Sequence, residues 1–597
     1  MKIERHAAWT MSESGFDSFD QTRLFYRCWK PVAETAGAVR RALVFLHRGH
    51  EHSGRIQPLV EQFGLHQDWA FAWDARGHGH SPGERGAAPG FDALVQDFDT
   101  FISHIQHVHG IAPENIVVVA NSVGAVIAAT WLHDYAPRVR GVVMATAAFE
   151  IKLYVPLAKP ALRFATGFKP DLAVTSYIRS SMLTHSKEQA AVYDADPLIA
   201  KSISAKVLLE LADTAKRIVS DASAIDTPIL MLAADKDFVV SLAPQRTFFE
   251  RLSSPLKRFV LLKDCYHAVF YERDTREAMD ASRRFIDECF ATEPLPLQHY
   301  READQRGHSA SRYQAMQQGR TGSALAQASY SMQKLMLGIL GPLSDGMKIG
   351  LTHGFDSGAS LDYVYRNQAG GRLFIGKKID RGYLDAIGWR GIRLRKVHMQ
   401  KTLDTLIARH QGDAPLRILD VAAGSGRYLL ETVKRFQDKR IELTLRDYSQ
   451  HNLDQARALA AELQLTIPIT YELRDAFDSA SYADGDGSFD IAIVSGLYEL
   501  FSDNTMVLRS LKGIASRLRD GGHIVYTGQP WHPQLDMIAQ TLDNHQGKPW
   551  IMRPRPQAEM DALVASAGCH KVFSLIGLAG IFSVSVARKT AAPGAAG

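Results

Sequence analysis

Short apolar runs alternate with longer amphipathic stretches along most of this chain. Between Arg41 and about Ile286 the runs RALVFLH, WAFAWD, NIVVVAN, GVVMAT, PILMLAA and KRFVLLK are separated by segments of helical length. Runs this short and this rich in Val, Leu, Ile and Phe predict strands buried on both faces, and their alternation with helices predicts a mostly parallel sheet. The rhythm breaks between Gly141 and Thr227, where a long helical insertion, about 145–225, is expected to form a lid. A second series begins at LRILDVAAG, from Leu416, and continues through RIELTLRD, FDIAIVSG and GGHIVYTGQ to GIFSVSVAR. Residues 292–330 are polar, rich in Gln, Ser and Arg and nearly free of aliphatic runs, which predicts an interdomain linker. The expected organisation is therefore two α/β domains, 1–291 and 331–590, with a disordered small-residue tail at 591–597.

Composition narrows the class. With 46% apolar and 22% charged residues among 597, the chain can bury sizeable cores, and disorder as a whole is excluded. Sixty-nine basic against 64 acidic residues leave a net charge of only +5, which gives no reason to expect nucleic acid. The four cysteines, Cys28, Cys265, Cys289 and Cys569, lie far apart without a CxxC pair, so neither a disulfide framework nor a thiolate zinc site is expected. The first twenty residues lack an apolar signal-peptide region, and no window of 18 apolar residues occurs. A cytoplasmic protein is the expectation.

In the first half, the strand NIVVVA runs into Asn121-Ser122-Val123-Gly124 and then into a small-residue helix. A serine at the apex of a sharp strand-to-helix turn presents its hydroxyl at the sheet edge, with the next backbone amide facing a developing oxyanion. The pattern is A-N-S-V-G, with Ala120 where G-x-S-x-G has its first glycine. A serine nucleophile needs a base, and the base a carboxylate to fix its tautomer. Asp237 follows the strand PILMLAA and His267 follows KRFVLLK, 30 residues later, one α/β unit apart and in the order Ser, acid, His; Asp235 is the rival acid. This half, about residues 20–290, resembles the monoacylglycerol lipase type of α/β-hydrolase, the serine aminopeptidase S33-like family. The resemblance is carried by Asp74-Ala-Arg76-Gly77-His78-Gly79-His-Ser81-Pro-Gly83, by Glu51-His52-Ser53-Gly54-Arg55, and by Tyr193-Asp-Ala-Asp196-Pro197-Leu198. It implies a helical lid, the triad Ser122, Asp237 and His267, and an oxyanion hole. The family's H-G-x-G loop reads His47-Arg48-Gly49-His50 here, so Gly49 and Val123 are the expected oxyanion donors and the competence of the loop is an open question. The spacing of His47, His50 and His52 would permit a metal, but the family has none there and none is expected.

In the second half, the strand LRILDV ends in Asp420-Val421-Ala422-Ala423-Gly424-Ser425-Gly426. A D-x-x-x-G-x-G turn lets backbone approach a nucleotide-like ligand, while Leu429 at the third glycine position speaks against a dinucleotide fingerprint. Asp447, 27 residues after Asp420 and at the end of the next strand, is placed to accept ribose hydroxyls, and Asp475 is a second acid for an adenine amino group. This ordered set resembles class I S-adenosylmethionine-dependent methyltransferases. Residues 345–588 resemble, more closely, a bacterial methyltransferase family often fused behind an α/β-hydrolase, through Tyr383-Leu-Asp385-Ala-Ile-Gly388-Trp389, Ser495-Gly496-Leu497-Tyr498-Glu499-Leu500-Phe501, Tyr526-Thr527-Gly528-Gln529-Pro530-Trp531-His532-Pro533 and Trp550-Ile551-Met552-Arg553. The resemblance implies a Rossmann-like fold that binds S-adenosyl-L-methionine at Asp420, Ala422, Gly424, Gly426, Asp447, Asp475 and Ser495. Tyr498, Glu499, Gln529, His532 and Arg553, with Trp531, Trp550 and Arg555, are acceptor-site candidates at strand ends, and His532 or Glu499 is the candidate base.

Arg366 to Lys401 is locally basic and interleaved with Leu373, Phe374, Ile375, Leu384, Ile387 and Trp389. An anionic membrane surface, RNA, and a solvated helical cover over the methyl-donor pocket are three readings of it; the amphipathic SMQKLMLGILGP just before favours a peripheral membrane contact over RNA. The expected function is that of a bifunctional ester hydrolase and methyltransferase acting on small-molecule or lipid substrates. The alternative is a methyltransferase whose altered oxyanion loop has left the hydrolase half as a binding or regulatory module.

Overall fold

Parallel strands buried on both faces need helices on both sides, and the apolar runs of the sequence form such strands. The computed structural model describes residues 3–6, 8–32, 39–64, 67–411, 414–483 and 487–590; the expected tail at 591–597 lies outside them. The chain divides into two compact units, Met1–Leu295 and Pro296–Gly597.

The first unit holds a nine-stranded sheet. Ala42–Leu46, Trp69–Trp73, Ile116–Asn121, Gly141–Ala145, Ile229–Ala234 and Lys257–Leu262 pair in parallel; the first five of these bury every residue, and the last, at the edge of the sheet, is half-buried. Two long strands escaped the sequence reading, Trp9–Asp17 and Arg23–Pro31, which form an antiparallel hairpin against Trp69–Trp73. Polar residues stand inside both strands, Ser12, Glu13 and Ser14 in the first and Arg27 in the second, so they lack the continuous apolar signature of the parallel core. The insertion expected as a lid contains the helices Ala158–Phe168, Lys187–Ala195 and Ala205–Ser220 and a two-stranded ribbon, Ala173–Thr175 with Ser202–Ser204.

The second unit holds a seven-stranded sheet in the order Ile469–Leu473, Ile441–Asp447, Leu416–Val421, Phe489–Val494, Leu518–Gly528, Ser583–Lys589, Cys569–Ile576. The first five are parallel, and Ser583–Lys589 runs antiparallel between its two neighbours, the reversed strand expected of a Rossmann-like methyltransferase fold. Helices from Ala324 to Arg409 form a cap in front of this sheet. Asp380, fully buried, pins that cap by accepting from Ser344 Oγ, Gly346 N, Tyr363 Oη and Gly370 N.

Residues 292–330 are not a free linker. They contain the helices Leu297–Arg301, His308–Gln317 and the start of Ala324–Leu340. The segment is polar because its polar groups are used: Asp304 accepts from Asn504 N, Arg301 O from Asn504 Nδ2, and Ser309 Oγ donates to Pro554 O while accepting from Arg553 Nη1. Arg553 completes its donor set on Glu559, Asn504 Oδ1 and Ser502 O, with both members of the Arg553–Glu559 pair 1% exposed at the side chain. Removing one partner of a buried pair strands the other charge, so Glu559→Ala should destabilise the second unit by about 3–5 kcal/mol in denaturant unfolding. Ser309→Ala breaks two buried hydrogen bonds and should cost about 1–3 kcal/mol. A free linker at 292–330 would leave the Ser309 value near zero.

Candidate active sites

The strand Ile116–Asn121 lies between Ala42–Leu46 and Gly141–Ala145, at the centre of its sheet. It is followed by Ser122 at φ 54°, ψ −112°, and then by the helix Val123–Tyr135. An L-residue held there stores on the order of 1–3 kcal/mol of strain, which the surroundings must hold in place. They do so through Ser122 N to Ala145 O and Ala148 N to Ser122 O. Gly124 is required because a Cβ would stand 2.8 Å from Leu46 Cβ and 2.9 Å from His47 O. Ala120, in the place of a glycine, fits fully buried between Leu46 and Met144 on the flanking strands.

Three expected residues meet at this turn. His267 Nε2 lies 2.9 Å from Ser122 Oγ, and its Nδ1 lies 2.8 Å from Asp237 Oδ2. A carboxylate can only accept, so Nδ1 carries the proton and Nε2 is free to accept the serine hydroxyl. Asp237 Oδ1 is held by the amides of Val239 (2.7 Å) and Val240 (2.9 Å). Burial alone would raise the Asp237 carboxyl, but His267 and these amides outweigh it and hold it below its usual range. The rival Asp235 is exposed and accepts from Cys265 N instead, so the geometry selects Asp237.

The altered loop leaves this site clear. Arg48 forks onto Glu51 through Nε (2.9 Å) and Nη2 (2.5 Å) and lies 5.1 Å from the Tyr271 ring centre. Gly49 faces Val123: a Cβ there would come within 2.8 Å of Val123 Cγ2. His50 Nε2 pairs with Ser176 Oγ at 2.9 Å, and burial pushes its pKa down to about 4. His47 accepts from Ala75 N and donates to Arg48 O, while His52 pairs with Asp196. The three rings turn to different partners rather than converging.

In the second unit, Leu416–Val421 sits between Ile441–Asp447 and Phe489–Val494, so the turns after these parallel strands share one edge. Ala422, Gly424 and Gly426 have φ of 55°, 57° and 62°, and the helix Arg427–Val433 starts at once. A Cβ built at Gly424 meets nothing within 4 Å, so the turn presents open, unclothed backbone. Such a cradle fits the close backbone approach that S-adenosylmethionine requires. Ser495 is half-buried on the same edge, and Asp475 is exposed, accepting from Phe477 N.

Two acids expected to hold the cofactor serve the turn itself. Asp447 is 3% exposed; its Oδ2 accepts from Gly424 N and its Oδ1 from Ser449 N and Asn452 Nδ2, so it first locks the glycine turn to the next strand. Asp420 is wholly buried under Tyr428, whose hydroxyl donates to the carboxyl at 2.7 Å. It does not reach the ligand edge. Burial, with a smaller push from Asp447, raises its pKa to about 8.

The acceptor candidates separate into two groups. Glu499, Gln529, His532 and Trp550 line a cavity of about 450 Å³ between the sheet edge and the helical cap, next to Gly496. Tyr498 and Arg553 do not line it: Tyr498 donates to Ser510 Oγ in the core, and Arg553 belongs to the Glu559 cluster, as does Arg555. Sequence reading missed Met336, Leu337, Tyr383 and Arg395 as lining residues, because they sit in segments read as amphipathic or basic surface. The basic stretch forms the helices Leu373–Leu384 and Ile387–Arg409, and Arg395 turns inward, 5% exposed, to pair with Glu499 Oε1 at 3.0 Å. His532 accepts Gln534 N at Nδ1 (3.0 Å), so its proton is on Nε2, and burial pushes its pKa down to about 4.

An α/β-hydrolase unit and a Rossmann-like unit of the methyltransferase kind thus share one chain. A family model described as "Putative methyltransferase" matches residues 282–589, and the chain belongs to that family. A second model, "Serine aminopeptidase, S33", matches residues 37–274. The chain is 41% identical over 577 residues to Uncharacterized protein YnbC of Escherichia coli (strain K12), covering 96% of this chain and 98% of that protein. It is 25% identical over 273 residues to a monoacylglycerol lipase of Mycolicibacterium smegmatis, covering 45% of this chain and 95% of the relative. Among solved structures, a monoacylglycerol lipase of Paleococcus ferrophilus aligns with 47% of this chain and 99% of its own at 22% identity and a TM-score of 0.40.

The raised Asp420 pKa sets a sign for pH dependence. Unfolded, the carboxyl releases its proton near 3.8; folded, it keeps it up to about 8, so the folded state binds more protons in between. Stability from this group is full below about pH 4 and is lost as pH rises toward about 8. Asp420→Asn, which keeps an acceptor for Tyr428, should flatten that part of the slope in denaturant midpoints taken between pH 5 and 8. An unchanged slope would show that Asp420 is ionised when folded.

Proposed function

We propose that the chain is a bifunctional enzyme, a serine ester hydrolase joined to an S-adenosylmethionine-dependent methyltransferase, acting on lipid-related substrates. The observation that carries the first activity is the chain of hydrogen bonds from Ser122 through His267 to Asp237, with the serine in a strained turn. Ser122 Oγ attacks the ester carbonyl carbon as His267 Nε2 takes its proton, and Asp237 holds the imidazolium that forms. The oxyanion is met by the amides of Val123 and Gly49. On collapse the carbonyl–oxygen bond breaks, the alcohol leaves with the proton from His267, and water repeats the cycle on the acyl-serine. The Arg48–Glu51 fork favours this reading over an inactive binding module, since the substituted side chain is tied away from the serine.

A lipid-like ester is supported by the lid, where Tyr154, Val155, Leu157, Phe164 and Phe168 are each at least 60% exposed. Contiguous exposed apolar groups on a monomer mark a contact surface for apolar material. The monoacylglycerol lipase relative agrees with an acylglycerol-like substrate.

For the second activity, bound S-adenosylmethionine would supply an electrophilic methyl group, with the Gly424 turn, Ser495 and Asp475 at its binding edge. Glu499 is the residue placed to take a proton from the acceptor. Its Oε1 is used by Arg395 and Thr527 Oγ1, whereas Oε2 is buried with no partner among the described residues. His532 cannot play this part through Nε2, which already carries a proton, and instead donates.

Ser122→Ala should lower hydrolysis of short p-nitrophenyl esters at least about a thousandfold while leaving S-adenosylhomocysteine binding unchanged. Retained esterase activity would reject Ser122 as nucleophile. Gly424→Val should abolish S-adenosylmethionine and S-adenosylhomocysteine binding in calorimetric titration, because the side chain fills the open face of the turn. At φ 57° any side chain there is also strained, so melting of the variant must be measured beside the titration. A folded Gly424→Val that binds as tightly as wild type would remove the cofactor assignment.

A further inference from the structure

The cavity in front of the second sheet has two chemically distinct ends. Its body is apolar, built from Leu337, Leu340, Met347, Ile392, Ile538 and the stacked pair Trp389–Trp550, whose ring centres are 6.3 Å apart. Its volume, about 450 Å³, is that of a small-molecule site rather than a packing defect. Its apolar walls can take an apolar chain out of water, worth about 25 cal/mol for each Å² buried.

The other end gathers buried polar atoms that the protein leaves unused. Among the described residues Glu499 Oε2 is an acceptor without a donor and Gln529 Nε2 and Trp550 Nε1 are donors without acceptors, while His532 Nε2 points toward Gly388, 2.9 Å from where a Cβ would stand. Glu499 is 5% exposed and Gln529 3%. An unmet buried donor or acceptor costs about 1–3 kcal/mol, so several facing one cavity describe the complement of a ligand head. Charge decides its sign. Arg395 and Glu499 already neutralise one another, an anionic head would meet the free Glu499 oxygen, and a buried cation would stand beside the Arg395 guanidinium. The head is therefore neutral, with an O–H or N–H donor beside an oxygen acceptor.

The mouth agrees with the body. Met336 lines the cavity yet is 42% exposed, and Met332, Leu335 and Ile339 on the same helix, Ala324–Leu340, are 58–61% exposed, which gives an acyl or alkyl chain an apolar way in. We infer that the cavity binds a neutral single-chain amphiphile, such as a monoacyl- or monoalkylglycerol, with its chain among Leu337, Ile392, Trp389 and Trp550 and its donor on Glu499 Oε2. As the methyl acceptor site it rests on the methyltransferase reading above; as a lipid site it does not.

Trp389 and Trp550 make the test direct. A 1-O-alkylglycerol brominated along its chain, which has no ester to hydrolyse, should quench tryptophan fluorescence of the full-length protein saturably. An ether bound in the first unit, where Trp73 shares a pocket with Gly49 and Val123, quenches independently of both, but the part of the quenching that arises in this cavity should be lost in Trp389→Phe/Trp550→Phe. Gly382→Phe should weaken it at least about tenfold, since Gly382 lines the cavity and a Cβ there meets nothing within 4 Å, leaving the fold undisturbed. The equally brominated fatty acid, as carboxylate, should bind at least about tenfold more weakly than the ether. S-adenosylhomocysteine is titrated on the same samples. Binding of the nucleotide with no quenching by the ether, or quenching undiminished by loss of both tryptophans, overturns the inference. Equal affinity for the carboxylate overturns the neutral head. Quenching without nucleotide binding upholds the lipid site and removes the methyltransferase reading.

Discussion

Both halves of this protein depend on one backbone constraint, the passage from the carboxyl end of a central parallel strand straight into a helix. A chain can make that turn tightly only by placing a residue in the left-handed region, and that position costs energy for anything but glycine. The first unit accepts the cost at Ser122, the second at Ala422, with glycines beside it at 424 and 426. The outcome differs because of what occupies the apex. A serine there projects a hydroxyl toward His267, whereas a bare glycine leaves backbone open for a ligand. Neighbouring groups hold the turns: Ala145 and Ala148 that of Ser122, Asp447 that of Gly424.

Buried charge is the second organising theme, and magnitudes separate its uses. Arg553 and Glu559 satisfy one another and their neighbours, so they are structural even though they follow a strand end. Arg395 and Glu499 are equally buried but unfinished, with Arg395 Nε and Glu499 Oε2 lacking partners among the described residues. The same distinction separates Asp447, whose oxygens are occupied, from the exposed Asp475. Position at a strand end is thus a weak guide; the count of unmet hydrogen-bonding groups is a stronger one.

This explains what could be read in the sequence. The parallel strands were legible because burial on both faces leaves continuous apolar runs, and Ser122, Asp237 and His267 because each follows such a run in a fixed order. The hairpin Trp9–Asp17 with Arg23–Pro31 was not, since its half-buried strands mix Ser, Glu and Arg among the apolar residues. The segment 292–330 reads as linker because its polar side chains satisfy partners some 200 residues away, such as Asp304 with Asn504, and no local pattern records that. Arg395 was counted among surface cations for the same reason: its turn inward is dictated by Glu499, 104 residues later. Glu499, Gln529 and His532 were found beside Tyr498 and Arg553 without a way to tell them apart until their partners were known.

The covers over the two sheets carry the last step. A lid or cap built only to stabilise its sheet would turn its apolar face inward and leave polar groups outside, because each exposed Å² of apolar surface forgoes about 25 cal/mol. Both covers break that rule. The first unit leaves Phe164 and Phe168 more than 70% exposed on the helix Ala158–Phe168, and the second leaves Phe374 and Ile375 more than 60% exposed on one helix and Met332 and Ile339 about 60% exposed on another. In the second unit Met336, on the helix Ala324–Leu340, lines a cavity whose walls are mostly apolar and whose polar lining includes Glu499, Gln529 and His532. Apolar surface kept outside and polar atoms kept unpaired each cost stability separately. A ligand with a long apolar chain and a small neutral head relieves both in the second unit, and an ester of the same kind suits the first.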